Sequence, residues 1–190
     1  MVKELFLQTN IYPFLGHRAQ GFYKIVEHLE NNPHGYIIET GTTRGVGGWY
    51  SEGQSTLIWD WVKTLLPDIK IISIDKDQSC INIAKSQTKH VEYVCDDSVN
   101  ALNTMSGSIT KDTILLYLDS MDWSEKAALE SSLHHLCELA CVWTSLPKGC
   151  LIVVDDRHSE TMGKHIMVEQ FMNKLGIIPF FKEYQIAWIK

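Results

Sequence analysis

Five short apolar segments, each rich in β-branched residues, alternate with segments of helical length along this chain of 190 residues. The apolar segments are YIIET (36–40), KIISID (70–75), HVEYVC (90–95), TILLYLD (113–119) and CLIVVD (150–155). Near-continuous apolarity is typical of strands that are buried on both faces of a parallel sheet. Helices are predicted at about 17–31, 54–66, 77–87, 97–105, 124–144 and 160–175. The alternation predicts a doubly wound, mostly parallel α/β sheet.

The end of the chain departs from this alternation. Two strand-like segments, IIPFF (177–181) and YQIAWI (184–189), are separated only by Lys182 and Glu183. So short a link cannot form a parallel crossover, so the pair must be an antiparallel hairpin. We therefore predict seven strands in a single domain over residues 1–190, with residues 1–34 as an N-terminal segment and helix that could cover a substrate.

Composition and charge indicate which partners to expect. Apolar residues make up 45% of the chain and charged residues 21%, and the net charge is −6. There is no basic run of the kind that binds nucleic acid and no apolar run of membrane-spanning length. Five cysteines without a C-x-x-C pair indicate reduced thiols and a cytoplasmic location. The expected partner is a small molecule, with no nucleic acid and no membrane, and a homodimer is left open.

The segments at the predicted strand ends resemble those of class I S-adenosylmethionine-dependent methyltransferases. The resemblance covers residues from about 17 to 190. It rests on ETGTTRG (39–45), Asp75, CDDS (95–98), LDSMD (118–122), VVDDRH (153–158) and the terminal hairpin. The chain departs from the family pattern at Thr43, where a further glycine is common. It also has a long loop at 44–53, for which we predict a lid with Trp49 and Tyr50 as aromatic surface.

The resemblance implies a set of contacts to S-adenosylmethionine around the first loop. Gly41, Thr42 and Gly45 would lie close to the amino-acid part of the cofactor, although a simple tight turn is an alternative. Glu39 would orient the loop or reach the cofactor's ammonium group. Gln54 and Ser55 open the next helix, where they either cap it or receive the cofactor's carboxylate.

Acidic residues after the second and third strands are the candidates for the nucleoside part. Asp75 would accept hydrogen bonds from the ribose hydroxyls, because Asp77 is better placed to cap the following helix. The resemblance implies that an acid of the CDDS segment meets the adenine amino group. Asp96 is the residue that we name for this contact, and we expect one of the two aspartates to cap the helix.

A zinc site on the predicted helix 124–144 is not expected. This helix carries His134, His135, Cys137 and Cys141, but no second cysteine pair stands at ligand spacing. The helical spacing predicts a buried stripe that leaves both histidines on the polar side. The residues of this stripe are Leu129, Leu133, Leu136, Ala140 and Trp143.

Three acids close the fourth and fifth strands, and the resemblance implies that they form the reaction centre. Asp119 ends the fourth strand, and Asp155 and Asp156 end the fifth, so the three should converge at one edge of the sheet. Such oxygen ligands suit Mg²⁺, and the arrangement resembles the metal site of divalent-cation-dependent O-methyltransferases. The alternative is that these acids cap helices and meet solvent. Asp122 and His158 lie nearby in sequence as a further ligand or a base.

The function that the resemblance implies is methyl transfer from S-adenosylmethionine to a hydroxyl of a small molecule such as a sugar, polyol or phenol. Asp119 and His158 are the catalytic candidates, and Asp119 would also contact the cofactor. The acceptor pocket would form from the N-terminal segment, the 44–53 loop and the 120–123 loop. A catalytically inactive binding module is the alternative. A nicotinamide-dependent oxidoreductase fits less well, because residues 41–45 do not match G-x-G-x-x-G.

Overall fold

The fold is built around one seven-stranded sheet, in a computed structural model that describes residues 1–47, 49 and 54–190. The strands are β1 (Gly35–Thr40), β2 (Ile69–Asp75), β3 (Val91–Cys95), β4 (Thr113–Leu118), β5 (Leu151–Val154), β6 (Phe181–Lys182) and β7 (Ile186–Ile189). The helices are α1 (Val2–Leu7), α2 (Ala19–Asn31), α3 (Ser55–Leu65), α4 (Gln78–Gln87), α5 (Ser98–Met105), α6 (Ala128–Val142) and α7 (Ile166–Lys174). Short 3₁₀ turns cover Tyr12–Phe14, Gly16–Arg18, Thr110–Asp112 and Glu125–Ala127.

The strand order confirms the predicted doubly wound topology. The sheet runs β3-β2-β1-β4-β5-β7-β6, and β1 to β5 are all parallel to one another. β7 inserts antiparallel between β5 and β6, which confirms the terminal hairpin. The chain order reverses between β1 and β4, and ligands of open α/β sheets bind at such a switch point.

Both faces of the sheet are buried, as the apolar runs predicted. Ile37 and Ile38 are neighbours on β1, yet each is fully buried because successive side chains of a strand point to opposite faces. Ile37 joins a cluster with side chains from α2 and α3, and Ile38 joins one with side chains from α5, α6 and α7. Among the described residues, no helix combines the length and the apolarity needed to cross a membrane.

Three predicted element bounds were wrong in detail. The helix predicted at 160–175 begins only at Ile166, because the chain before it folds back and Arg157 pairs with Gly163. The strand predicted at 177–181 is limited to Phe181–Lys182, since Pro179 has no backbone N–H to donate. The helix predicted at 124–144 starts as a 3₁₀ turn and becomes α6 at Ala128.

The buried stripe predicted for α6 was also wrong. Leu129 and Leu133 are 66% and 45% exposed, whereas His135 and Glu138 are fully buried. The inward face of α6 combines the apolar Leu139 and Val142 with polar side chains that form hydrogen bonds inside the protein. The Ser120 hydroxyl, for example, donates to Glu138 Oε1 at 2.6 Å. Hydrophobic spacing alone therefore assigned the wrong face to the core.

The backbone hydrogen bonds continue past the strand ends and bring the ends of β1, β2 and β4 together. The Gly41 N–H donates to the Ile74 carbonyl at 2.8 Å, and the Asp119 N–H donates to the Thr40 carbonyl at 3.0 Å. Gly41 has φ +81°, and a Cβ atom there would lie 2.5 Å from the Asp119 carbonyl oxygen. Only glycine fits this close approach. The loop after β1 is thus held directly against the end of β4.

Candidate functional site

Two cavities and a narrow crevice between them open at the carboxyl edge of the sheet. The inner cavity, of about 210 Å³, is lined by Gly41, Ile74, Asp75, Lys76, Asp97, Ser98, Ser120, Met121 and His134. The outer cavity, of about 500 Å³, is lined by Leu15, His17, Arg18, Arg44, Asp119, Asp122, Trp123, Asp156, His158 and Tyr184. The crevice is lined by Gly41, Thr42, Thr43, Arg44, Gln54, Ser55, Asp75, Asp119 and Ser120. Asp75 therefore borders the inner cavity and the crevice, and Asp119 borders the crevice and the outer cavity.

The Asp75 carboxylate fixes the first loop while it faces the inner cavity. Its Oδ2 accepts a hydrogen bond from the Thr42 N–H at 3.1 Å, and its Oδ1 accepts one from the Asp77 N–H at 2.8 Å. Asp77 caps α4 through the Ser79 N–H, as the sequence indicated. Asp75 is thus left at the strand end, where a ligand in either space can reach it.

Glu39 lies beneath the loop and is completely buried. Its carboxylate accepts hydrogen bonds from the hydroxyls of Ser55, Thr56 and Ser73 and from the indole N–H of Trp59, at 2.5 to 2.9 Å. Burial raises its pKa, and these four donors act in the opposite direction. Of the two predicted roles, the geometry fits loop positioning. The predicted direct contact with a cofactor does not fit, since each oxygen of this fully buried carboxylate already accepts two hydrogen bonds.

Some of the other predicted residues of the first loop line the crevice, and others form hydrogen bonds that hold the loop in place. Thr42, Gln54 and Ser55 line the crevice, although the Ser55 hydroxyl donates to Glu39. Gln54 adopts φ +44° at the start of α3, an uncommon conformation for a residue with a side chain. Gly45 lies outside the three described spaces, and its carbonyl oxygen accepts from the Gln87 amide at 3.1 Å.

The third strand end presents Asp97 to the inner cavity, and the assignment of Asp96 has to be corrected. Asp96 is exposed, and its Oδ1 accepts a hydrogen bond from the Asp97 N–H. Asp97 caps α5 by accepting from the N–H groups of Val99 and Asn100, and it also lines the cavity beside Ser98. The expectation that one of the two aspartates caps the helix is confirmed. The residue that reaches the cavity is this same Asp97.

His134 completes the wall of the inner cavity. Its Nε2 lies 3.0 Å from the Ser98 hydroxyl and 3.4 Å from Glu138 Oε1. The hydrogen bond with Glu138 raises the pKa of His134. Burial acts against ionisation of Glu138, yet the pairing with His134 holds the pKa of Glu138 at about 2. The pairing with the buried Glu138 thus holds the polar ring of His134 against the inner cavity.

The three predicted acids do converge, and the chain supplies two cations to them. Lys164 Nζ lies 2.5 Å from Asp119 Oδ1 and 3.0 Å from Asp156 Oδ2. Arg18 Nη2 lies 3.0 Å from Asp156 Oδ1, and Arg18 Nε lies 3.5 Å from Asp155 Oδ2. The alternative that these acids only cap helices and meet solvent does not fit these contacts.

The electrostatics of this acid cluster separate its three carboxyl groups. Burial raises the pKa of Asp119 to about 8; Lys164 opposes the rise and the neighbouring carboxylates add to it. Burial also opposes ionisation of Asp156, but the two cations outweigh it and lower its pKa. Asp155 is fully buried, and burial raises its pKa despite Arg18. Asp119 is therefore the carboxyl group whose protonation state can change near neutral pH.

The outer cavity combines charged and aromatic side chains. The His158 ring packs 4.6 Å from the Trp123 ring and 5.7 Å from the Tyr184 ring, measured between centroids. The Tyr184 hydroxyl donates to Asp156 Oδ1 at 3.0 Å. Arg44 Nη1 lies 2.8 Å from Asp122 Oδ2, across the mouth of the cavity. Residues of the N-terminal segment and of the 120–123 loop thus line it, as predicted.

Only part of the predicted 44–53 loop can be compared. Arg44 lines the crevice and the outer cavity, and Trp49 packs against the core cluster that contains Phe22 and Trp59. Tyr50 lies outside the described residues. The predicted aromatic lid therefore stays a prediction.

Comparison with known proteins yields matches in structure. No protein-family model and no curated protein sequence matches the chain. The solved structure of CalS11, a TDP-rhamnose 3'-O-methyltransferase of calicheamicin biosynthesis, matches with a TM-score of 0.62 and 13% identity over 95% of this chain and 83% of that chain. The MycE methyltransferase of the mycinamycin pathway, in complex with Mg and S-adenosylhomocysteine, matches with a TM-score of 0.60 and 11% identity. This match covers 90% of this chain and 49% of the MycE chain. A TehB-like methyltransferase from Corynebacterium glutamicum matches with a TM-score of 0.51 and 14% identity over 87% of this chain and 85% of that chain.

The chain has the class I S-adenosylmethionine-dependent methyltransferase fold. The low identities establish this likeness for the fold alone. In terms of that fold, the inner cavity and crevice lie at the switch point between β1 and β4, where such sheets bind ligands. The outer cavity adjoins them at Asp119.

A divalent cation does not fit the acid cluster of this methyltransferase fold as it stands. Lys164 already bridges Asp119 and Asp156, and Asp155 Oδ2 accepts a hydrogen bond from the Tyr117 hydroxyl at 2.5 Å. Over residues 1–47, 49 and 54–190, no group of three or more His, Cys, Asp or Glu side chains is arranged to hold a metal ion. The predicted Mg²⁺ ligands Asp119, Asp155 and Asp156 therefore form an ion-pair cluster.

Four site residues were missed by the sequence reasoning. Arg18 and Lys164 lie in segments without a motif, and only the fold brings them to the acids. His134 was assigned to the polar side of its helix because the hydrophobic stripe was misplaced. Tyr184 begins the predicted strand 184–189, and its position beside Asp156 depends on the register of the terminal hairpin. No local sequence signal identifies these residues.

The ion pair between Arg18 and Asp155 yields a test of this cluster. Arg18→Met should lower the free energy of unfolding at pH 7 by about 3–5 kcal/mol, because it leaves a buried carboxylate without its cation. The loss should shrink as the pH falls, since protonation of Asp155 removes the uncompensated charge. Urea denaturation at several pH values measures this. Adding Asp155→Asn to Arg18→Met should recover much of the loss; an equal, pH-independent loss in both variants would contradict the pairing.

Proposed function

We propose that this protein is an S-adenosylmethionine-dependent methyltransferase that methylates a hydroxyl group of a small molecule such as a sugar, polyol or phenol. The observation that carries the proposal is the junction at Asp119, where a crevice of cofactor-loop residues opens into a separate, larger cavity. Methyl transfer needs two ligands held end to end, with the reacting atoms in line. Two adjoining spaces at the switch point of the sheet match that need.

The inner cavity and the crevice are proposed to hold S-adenosylmethionine. Gly41 supports this, because it lines both spaces and its missing side chain lets the loop pack directly against the end of β4. Asp75 borders both spaces and would accept the ribose hydroxyls. Ser98 and His134 would border the adenine, while Thr42 and Gln54 would border the amino-acid part.

The outer cavity is proposed to hold the methyl acceptor. A volume of about 500 Å³ suits a small molecule. Trp123 and His158 offer ring faces, and Asp122 and Tyr184 offer polar groups, which suits a hydroxylated ring. This choice agrees with a neighbouring fold that is described as a sugar O-methyltransferase.

Asp119 is proposed to take the proton of the acceptor hydroxyl. The bound S-adenosylmethionine supplies an activated methyl group, so the chain has to position the hydroxyl and remove its proton. Asp119 Oδ1 pairs with Lys164, while Oδ2 has no hydrogen-bond partner among the described residues. A carboxylate with a pKa of about 8 is well matched to general base catalysis near neutral pH. His158, which lines the same cavity, is the second candidate base.

No metal step is part of this proposal. The resemblance to metal-dependent O-methyltransferases suggested Mg²⁺, but Lys164, Arg18 and Tyr117 engage oxygens of all three acids, and of these acids' oxygens Asp119 Oδ2 is left without a hydrogen-bond partner among the described residues.

The proposal is tested by methyl transfer from radiolabelled S-adenosylmethionine to a panel of nucleotide sugars, polyols and catechols. Label in an acceptor supports it. Cofactor binding without transfer to any acceptor would favour an inactive binding module. Binding of a nicotinamide nucleotide in place of S-adenosylmethionine would overturn it.

Asp75→Ala should weaken S-adenosylmethionine binding by about 1.5–3 kcal/mol, the range for hydrogen bonds that involve a charged group. Isothermal titration calorimetry measures the change. Asp77→Ala is the matched control, because Asp77 caps the adjacent helix without lining the cavity. It should lower stability and leave the affinity unchanged. Equal affinities for Asp75→Ala and the unmodified protein would reject the ribose assignment.

The pH dependence of turnover should identify the base. The ionised form of Asp119 is the active one, so kcat/KM for S-adenosylmethionine, which reports the free protein, should rise with pH and level off above about 8. Asp119→Asn should lower kcat/KM by about 10²–10⁴, the usual contribution of a general base, and should remove the pH step. His158→Gln should keep the step. If His158→Gln removes the step while Asp119→Asn retains it, His158 is the base.

A further inference from the structure

A buried ammonium group lies where the carboxylates of two neighbouring strands face each other. Lys164 is 1% exposed, and its Nζ contacts Asp119 Oδ1 after β4 and Asp156 Oδ2 after β5. Mg²⁺ binds oxygen at about 2.0–2.1 Å and requires the same oxygens. It also carries a charge that would be repelled by an ammonium group at this range. Lys164 and a divalent cation therefore cannot occupy the site together.

The backbone holds Lys164 in this position. Residues 157–163 fold back after β5, and Arg157 pairs with Gly163 as an isolated antiparallel bridge. The Lys164 N–H then donates to the Asp156 carbonyl at 3.3 Å. Gly163 has φ +142°, and a Cβ atom there would lie 2.4 Å from the same carbonyl oxygen. The return of the chain to Asp156 thus depends on a glycine directly before Lys164.

The third acid is withheld from a metal by other groups. Asp155 is fully buried. Its Oδ2 accepts a hydrogen bond from the Tyr117 hydroxyl and pairs with Arg18 Nε, and its Oδ1 accepts a hydrogen bond from the Asp156 N–H. All three acids that could chelate a cation are therefore paired within the chain.

We propose that Lys164 serves as a built-in cation in place of a divalent metal, so that it excludes metal from the acid cluster and the protein works without one. The exclusion of metal stands on the geometry alone. That the protein turns over without a metal rests on the proposed function. Lys164 is a positioning residue here, since it acts through Asp119 and Asp156.

Mn²⁺ binding to metal-free protein tests the exclusion directly. Titration followed by the electron paramagnetic resonance of free Mn²⁺ should show no stoichiometric site in the unmodified protein. Lys164→Met keeps much of the side-chain volume, removes the charge and frees the oxygens. It should bind one Mn²⁺ about a thousandfold more tightly, the scale of removing one unit charge a few ångström away at intermediate dielectric. Lys164→Met combined with Asp156→Asn should lose this site.

Lys182→Met is the matched control. Lys182 also bridges two acids, Glu160 and Glu169, but on the surface of the protein. The Lys182→Met variant should gain no Mn²⁺ site. If Lys164→Met is too unstable for titration, its melting temperature should still rise on addition of Mn²⁺, whereas that of the unmodified protein should not. A stoichiometric Mn²⁺ site in the unmodified protein, or no gain of Mn²⁺ binding or thermal response in Lys164→Met, overturns the inference.

Turnover adds a separate readout. Methyl transfer by the unmodified protein should be the same in chelator and in Mg²⁺, and loss of activity in chelator overturns the claim of metal independence. Absence of methyl transfer under all conditions overturns the proposed function instead, and it leaves the Mn²⁺ result to decide on the exclusion.

Discussion

Three carboxyl groups that converge at the ends of two neighbouring strands set the charge that the site has to balance. Two ionised groups of the chain, Arg18 and Lys164, offset two of the three negative charges. The remaining charge is small enough to be removed by a proton, which agrees with the raised pKa of Asp119. A ligand with one positive charge beside Asp119 would replace that proton. The cluster is thus suited to a ligand with one positive charge, such as a sulfonium group.

The elements that supply the two cations also build the walls of the outer cavity. Arg18 precedes α2, which packs on the sheet through Phe22 and Ile25, and Lys164 follows the returning loop after β5. Glu39 shows a different solution to the burial of a carboxylate, since only neutral hydroxyl and indole donors surround it. A group held in this way supports the loop, whereas Asp119, which is 19% exposed, remains open to a ligand.

The fold could be predicted from the sequence because its signals are local. Strand runs such as TILLYLD indicate strand type, and the short link that the sequence places near Lys182 and Glu183, and the structure at 183–185, requires an antiparallel connection. The convergence of the three acids followed from strand adjacency. Lys164 and Arg18 could not be predicted, because their contacts depend on a returning loop and on how a helix docks. Helix α6 shows the same limit: its inward face includes His135 and Glu138, so hydrophobic spacing pointed to the wrong side.

The central claim is that Asp119 carries the proton that a sulfonium ligand displaces. Calorimetric titration near pH 7, in buffers of different ionisation enthalpy, counts the protons released on binding. S-adenosylmethionine should release more protons than S-adenosylhomocysteine, which lacks the sulfonium charge, and Asp119→Asn should abolish the difference. The same proton count for both ligands, or a difference that survives in Asp119→Asn, would contradict the account.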